Sequence, residues 1–106
     1  NRSFIETVMT VAHMAYFVIG DFTNARIILQ EATEIVKGVA VPFAPILRMG
    51  SDFEPITLSD LRVNHRSLLE TFIYDDERHL MENLQNRIIN PAIEKEKELR
   101  SLRQNI

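Results

Sequence analysis

The sequence predicts an all-α domain: a helical bundle built on an N-terminal antiparallel helix hairpin, with a Pro-rich connector and a long C-terminal helical region. Three observations lead there. Residues 4–19, FIETVMTVAHMAYFVI, are apolar at twelve of sixteen positions. Residues 21–36, DFTNARIILQEATEIV, repeat apolar side chains at three- and four-residue steps. Residues 91–106 are dominated by strong helix formers.

In the first segment, Glu6, Thr10 and His13 fall on one narrow polar stripe, so a helix there asks for cover on most of its circumference. Ser3 with Glu6 has the spacing of a capping box, and Gly20 suits a helix end. The run is short for a membrane span and carries a glutamate in its first turn. In the second segment Asp21 is placed to cap. Ala25, Ile28, Leu29, Ala32, Ile35 and Val36 form one face, with Arg26, Gln30, Glu31 and Glu34 outside. The hairpin is expected over residues 3–37.

Residues 38–58 are punctuated by Gly38, Pro42, Pro45, Gly50 and Pro55, yet they contain Val39, Val41, Phe43, Ile46, Leu47, Met49 and Phe53. The expectation is a connector packed across the core, with one short helical turn near residues 45–49. A third helix is expected from Ser59 or Asp60, with a stripe through Leu61, His65, Leu68, Leu69, Phe72 and Ile73. The pattern fails at residues 74–77 and resumes with Leu80, Met81, Leu84, Ile88 and Ile89. Either Asp75 or Asp76 caps a new helix, or one helix runs through. The lack of Gly or Pro favours continuity, with residues 59–106 as long helical segments kinked at Pro91. Asn90 and Pro91 suit an N-cap and first helical position, and Glu96 and Arg100 form a favourable pair four residues apart.

Composition bounds the rest. A chain of 106 residues suggests one domain. Apolar content of 45% with 25% charged residues is that of a globular chain rather than a disordered one. A net charge of −3 argues against a nucleic-acid surface. With no cysteine, disulfides and thiolate chemistry are excluded, which fits a cytoplasmic home. No signal-peptide pattern is visible, and a start at Asn1 suggests a piece of a longer protein.

Tyr16, the run Gly20-Asp21-Phe22, and then Ala25, Leu29 and Ala32 stand at the spacings of a tetratricopeptide repeat. Residues 7–38 thus resemble one copy of that helical hairpin. The departures are His13 where the repeat has a small residue, Met9 where it has a large aromatic, and Lys37 where it often has Pro. No second copy is visible. The resemblance implies a protein-binding hairpin whose concave face carries Thr7, Thr10, Met14, Phe17 and Val18.

Catalytic signatures are missing from the sequence. The nearest approach to a metal-ligand set is Asp75, Asp76 and His79, which share one side of a helix; a solvated acidic face is the simpler reading, and no metal or cofactor is expected. His65, Ser67 and Asp60 have the letters of a triad but the wrong helical spacing. The leading functional expectation is a non-catalytic protein–protein interaction or oligomerisation module. It would use Met14, Phe17, Val18, Leu99, Leu102 and Ile106, bind a protein partner or a second copy of itself, and touch neither nucleic acid nor membrane. The alternative is a ligand-sensing or regulatory domain with a small apolar pocket drawn from Met9, Met14, Tyr16, Phe17 and Phe72.

Overall fold

Residues 43–48, FAPILR, are the middle strand of a three-stranded parallel sheet, and the computed structural model therefore overturns the all-α bundle. The structure describes residues 16–23, 34, 37–38, 41–51 and 55–104. Strand β1 is Val18–Asp21, β2 is Phe43–Arg48 and β3 is Phe72–Tyr74, in the order β1-β2-β3. Val18 to Asp21 lie opposite Phe43 to Ile46, and Ile46 to Arg48 lie opposite Phe72 to Tyr74. Helix α1, Pro55–Asn64, carries the chain from β2 to β3. Helix α2, Glu77–Asn83, a π-helical turn at Leu84–Ile89 and helix α3, Asn90–Gln104, follow without a break.

The expected helix hairpin is corrected at its turn. Val18–Asp21, assigned from sequence to the end of one helix and the start of the next, is a strand paired with β2. The expected helix face through Ala25, Ile28, Leu29, Ala32, Ile35 and Val36 lies outside the described residues. The helical turn expected near residues 45–49 of the connector is corrected too. The connector's first half is β2, buried at five consecutive residues, as a central parallel strand must be when both faces are covered. Its second half contains Pro55, which opens α1 rather than breaking a helix. The single helix through residues 59–89 is corrected by β3 and by Asp76. That side chain accepts the His79 backbone N–H at 2.8 Å and caps α2.

Gly20 explains why β1 sits where it does. A Cβ there would lie 2.6 Å from Phe43 Cζ and 2.8 Å from its Cε1. The Phe43 ring is buried and packs on Phe22 at 6.1 Å between centroids, so it has little room to retreat. Gly20→Ala is expected to lower stability by about 1–3 kcal/mol through overpacking. A denaturant titration checks this, and a loss below about 0.5 kcal/mol would mean that the ring moves aside.

The β2–β3 seam has a gap. Phe43 pairs with Leu68 as an isolated bridge, and Ile46 pairs with Phe72. The β3 side therefore carries one more residue between these points than β2 does. That extra residue is a bulge, and it falls opposite Pro45. Phe43 directs both backbone groups to this seam, accepting from Leu69 and donating to Ser67 at 2.9 Å each. Two residues on, Pro45 faces the same way but has no N–H to give. The ladder opens where it has least to lose.

Pro91 has a matching effect in the helical run. In a regular α-helix its ring would press on the Arg87 carbonyl four residues back. Here the preceding turn is widened, with the Asn90 N–H bonding to the Gln85 carbonyl five residues back. The helix passes through Pro91, and Ala92 just beyond it is fully buried. Asn90 does not act as an N-cap. Its amide accepts from Gln85 Nε2 at 2.6 Å and donates to Asn86 at 3.4 Å.

Candidate functional site

The two irregularities face one another across a cavity of about 230 Å³. Its floor is Ala44 and Pro45 of β2, the bulged stretch Leu69, Glu70 and Thr71, and Phe72 of β3. Asn86, Arg87 and Ile88 of the π-helical turn, with Pro91, form the roof, and Arg62 of α1 closes one side. The sheet would otherwise be sealed here by a regular ladder and the helix by a regular turn. Bulges and single π turns are both devices that re-aim side chains at sites.

The lining mixes apolar and polar side chains. Phe72 and Ile88 are buried and belong to the core cluster with Ala44, Ile46 and Tyr74. Arg87 lies over the Phe72 ring, its guanidinium carbon 5.1 Å from the centroid, so a cation is held at the wall by the face of an aromatic. Among the described residues, neither Arg62 nor Arg87 has an acidic partner in an ion pair. Among the described residues Glu70 is the one carboxylate in the lining. Two guanidiniums against one carboxylate, with the Thr71 hydroxyl and the Asn86 amide beside them, suit an oxyanion.

The carboxyl ends of the strands hold a different arrangement. Asp21, at the end of β1, accepts from the Thr23 N–H at 2.9 Å and the Thr23 hydroxyl at 2.6 Å on one oxygen, and from the Tyr74 hydroxyl at 2.9 Å on the other. Thr23 Oγ1 in turn accepts the Arg48 N–H at 2.8 Å, and the Ser51 hydroxyl donates to the Thr23 carbonyl at 3.0 Å. Gly50, at φ 85°, makes the left-handed step of the turn that joins Arg48 to Ser51. These bonds tie the ends of all three strands together.

Partial burial pushes the Asp21 carboxyl up, but the hydrogen bonds from Thr23 and Tyr74 outweigh it and hold the group below its ordinary 3.8. Its folded-state pKa is depressed, so its contribution is complete above 3.8 and is lost as pH falls through the lower folded value. Asp21→Asn is expected to remove this part of the acid limb and to lower stability by about 1 kcal/mol near neutrality. Unfolding free energy measured between pH 2 and pH 7 checks both; an unchanged acid limb would refute the assignment.

The residues singled out from sequence are scattered. Val18 is half-buried within β1 and pairs with Phe43, so its place on a concave helical face is corrected. Phe17 is half-buried just before that strand. Leu99 is half-buried and Leu102 is exposed on α3. Met14 and Ile106, with Met9, Thr7 and Thr10, lie outside the described residues. Tyr16 is 75% exposed and lines no pocket described here, whereas Phe72 does floor the cavity. At Asp75, Asp76 and His79 the groups are occupied locally: Asp76 caps α2, and the Asp75 N–H donates to His79 Nδ1 at 2.9 Å. No three acidic, histidine or cysteine side chains come together to hold a metal among the described residues. Nor is any described helix long and apolar enough to cross a membrane.

Arg62, Glu70, Thr71, Asn86 and Arg87 escaped the sequence reading. The available signals were Pro45 inside an apolar run and Pro91 four residues after Arg87, each marking an irregular backbone rather than a chain break. Fold and cavity together define a small parallel α/β domain with a cation-lined hollow between its sheet and a π-helical turn. Comparison with family models, curated proteins and solved structures finds no match to this chain.

Proposed function

We propose that this domain is a non-catalytic, ligand-sensing module that binds a small molecule through an oxyanion group, phosphate or carboxylate, in the cavity under the π-helical turn. The observation that supports it is the placing of Arg62 and Arg87, without acidic partners among the described residues, on a hollow that also holds apolar side chains. The guanidiniums would take the anion, and the half-buried Leu69 and Pro91 the uncharged body. A reducing, cytoplasmic setting agrees with the lack of cysteine. The test is a nuclear magnetic resonance titration with inorganic phosphate and with acetate. Amide signals of Thr71, Asn86 and Arg87 should move in the wild type and stay still in Arg87→Gln. Shifts elsewhere only, or none, would reject the reading.

A second reading, an interaction module that self-associates, draws on α3. Over its fifteen residues this helix buries only Ala92, while Ile93 and Leu102 are each 39% exposed and Leu99 is half-buried. Its ion pairs are internal: Lys95 with Glu98 at 3.0 Å, Lys97 with Glu94 at 3.9 Å, and Arg100 with Glu96. They leave little like-charge repulsion against a second copy. Sedimentation should then show a dimer that Leu99→Glu with Leu102→Glu converts to a folded monomer. A wild-type monomer at high micromolar concentration would exclude it.

A further inference from the structure

A second hollow, of about 580 Å³ and more open, lies beside the first and shares Arg62 with it. Arg66 and Lys95 also line it, with the Ser59 hydroxyl, the Asn64 amide and Glu98. Lys95 is paired with Glu98 at 3.0 Å; Arg66, exposed, has no acidic partner among the described residues. Each hollow therefore holds more cations than carboxylates, and one arginine stands on the boundary between them. Among the described residues no exposed aromatic lines either hollow to stack a base, and the chain is acidic overall, so a nucleic-acid polymer is a poor fit.

Building on the oxyanion reading of the first cavity, we propose that the ligand carries two linked phosphate groups, the first on Arg62 and Arg87, the second on Arg62 and Arg66 with Lys95 at its edge. Neighbouring charges on a diphosphate reward a site with separated guanidiniums more than a single phosphate can.

The probes are inorganic phosphate and pyrophosphate, titrated at one fixed ionic strength, since exposed cations are screened by salt. Pyrophosphate should bind about tenfold more tightly than phosphate and should shift the Ser59 and Asn64 amides as well as Thr71 and Asn86. In Arg66→Gln, whose side chain is exposed and whose fold is checked by retained signal dispersion, that advantage should vanish while phosphate binding at Thr71 and Asn86 persists. Equal affinity for the two probes, or an advantage that survives Arg66→Gln, overturns the two-phosphate inference and leaves the oxyanion site standing. If neither probe moves Thr71 or Asn86, both readings fall together.

Discussion

Phe72→Ala is expected to cost about 3–5 kcal/mol, the largest loss from any single truncation considered for this chain. Three features set that size. The ring is 6% exposed and packs in a cluster with Ala44, Ile46, Tyr74 and Ile88. It meets His79 at 5.4 Å between centroids and carries Arg87 on its face, so truncation strips partners from both sides. It also floors a hollow that already exists, and the surrounding sheet cannot collapse to refill the enlarged space. Out of a total stability of roughly 5–15 kcal/mol, such a loss removes a large fraction of the folded population. Denaturant unfolding monitored by far-ultraviolet circular dichroism measures it. A loss below about 1.5 kcal/mol would show that the β3 side chain is not a core element.

Ile88→Ala comes next, at about 2–5 kcal/mol, with Ile88→Val expected near 0.5–1.5 kcal/mol. Ile88 is 1% exposed and is the one buried residue of the π-helical turn. A regular helix would rotate it relative to the residues that follow, so its burial together with that of Ala92 depends on the widened turn. A companion variant, Pro91→Ala, isolates this point. It restores the missing amide and removes the ring from the Arg87 carbonyl, so the turn can relax toward a regular helix. If Ile88→Ala costs the same in the Pro91→Ala background, the π turn does not govern the burial of Ile88.

Some of this is legible in the sequence. The helical character of residues 90–104 follows from composition, and the Glu96–Arg100 pair read from spacing is present, with Arg100 Nε 3.2 Å from Glu96 Oε1. Asp76 was one of two candidates for a cap, and it is the cap. The candidate cavity was not legible. Its residues come from α1, β2, the bulge, β3 and the π-helical turn, and no sequence window brings them together.

The misreading of the sheet has a specific cause. A strand buried on both faces has no alternation to display, and a run such as VPFAPIL or YFVI is apolar under either periodicity. A proline is a poor fit to a central strand, which needs its amides. That rule fails here because the seam it faces is bulged. Gly20 and Asp21 suit an interhelical turn as well as they suit a strand end, and what separates the two is non-local: the pairing of residues 18–21 with β2 and the Phe43 ring standing over Gly20.

The helix-forming tail is a local property that composition reveals, whereas the choice between a cap at Asp75 or Asp76 and one continuous helix stayed open in the sequence, and Gly50 stood there only as a break. Tertiary structure alone decided that residues 18–21, 43–48 and 72–74 are strands. A parallel strand has no local partner; its hydrogen bonds close only across a crossover of many residues, and nothing near it in the chain records which segment will supply them.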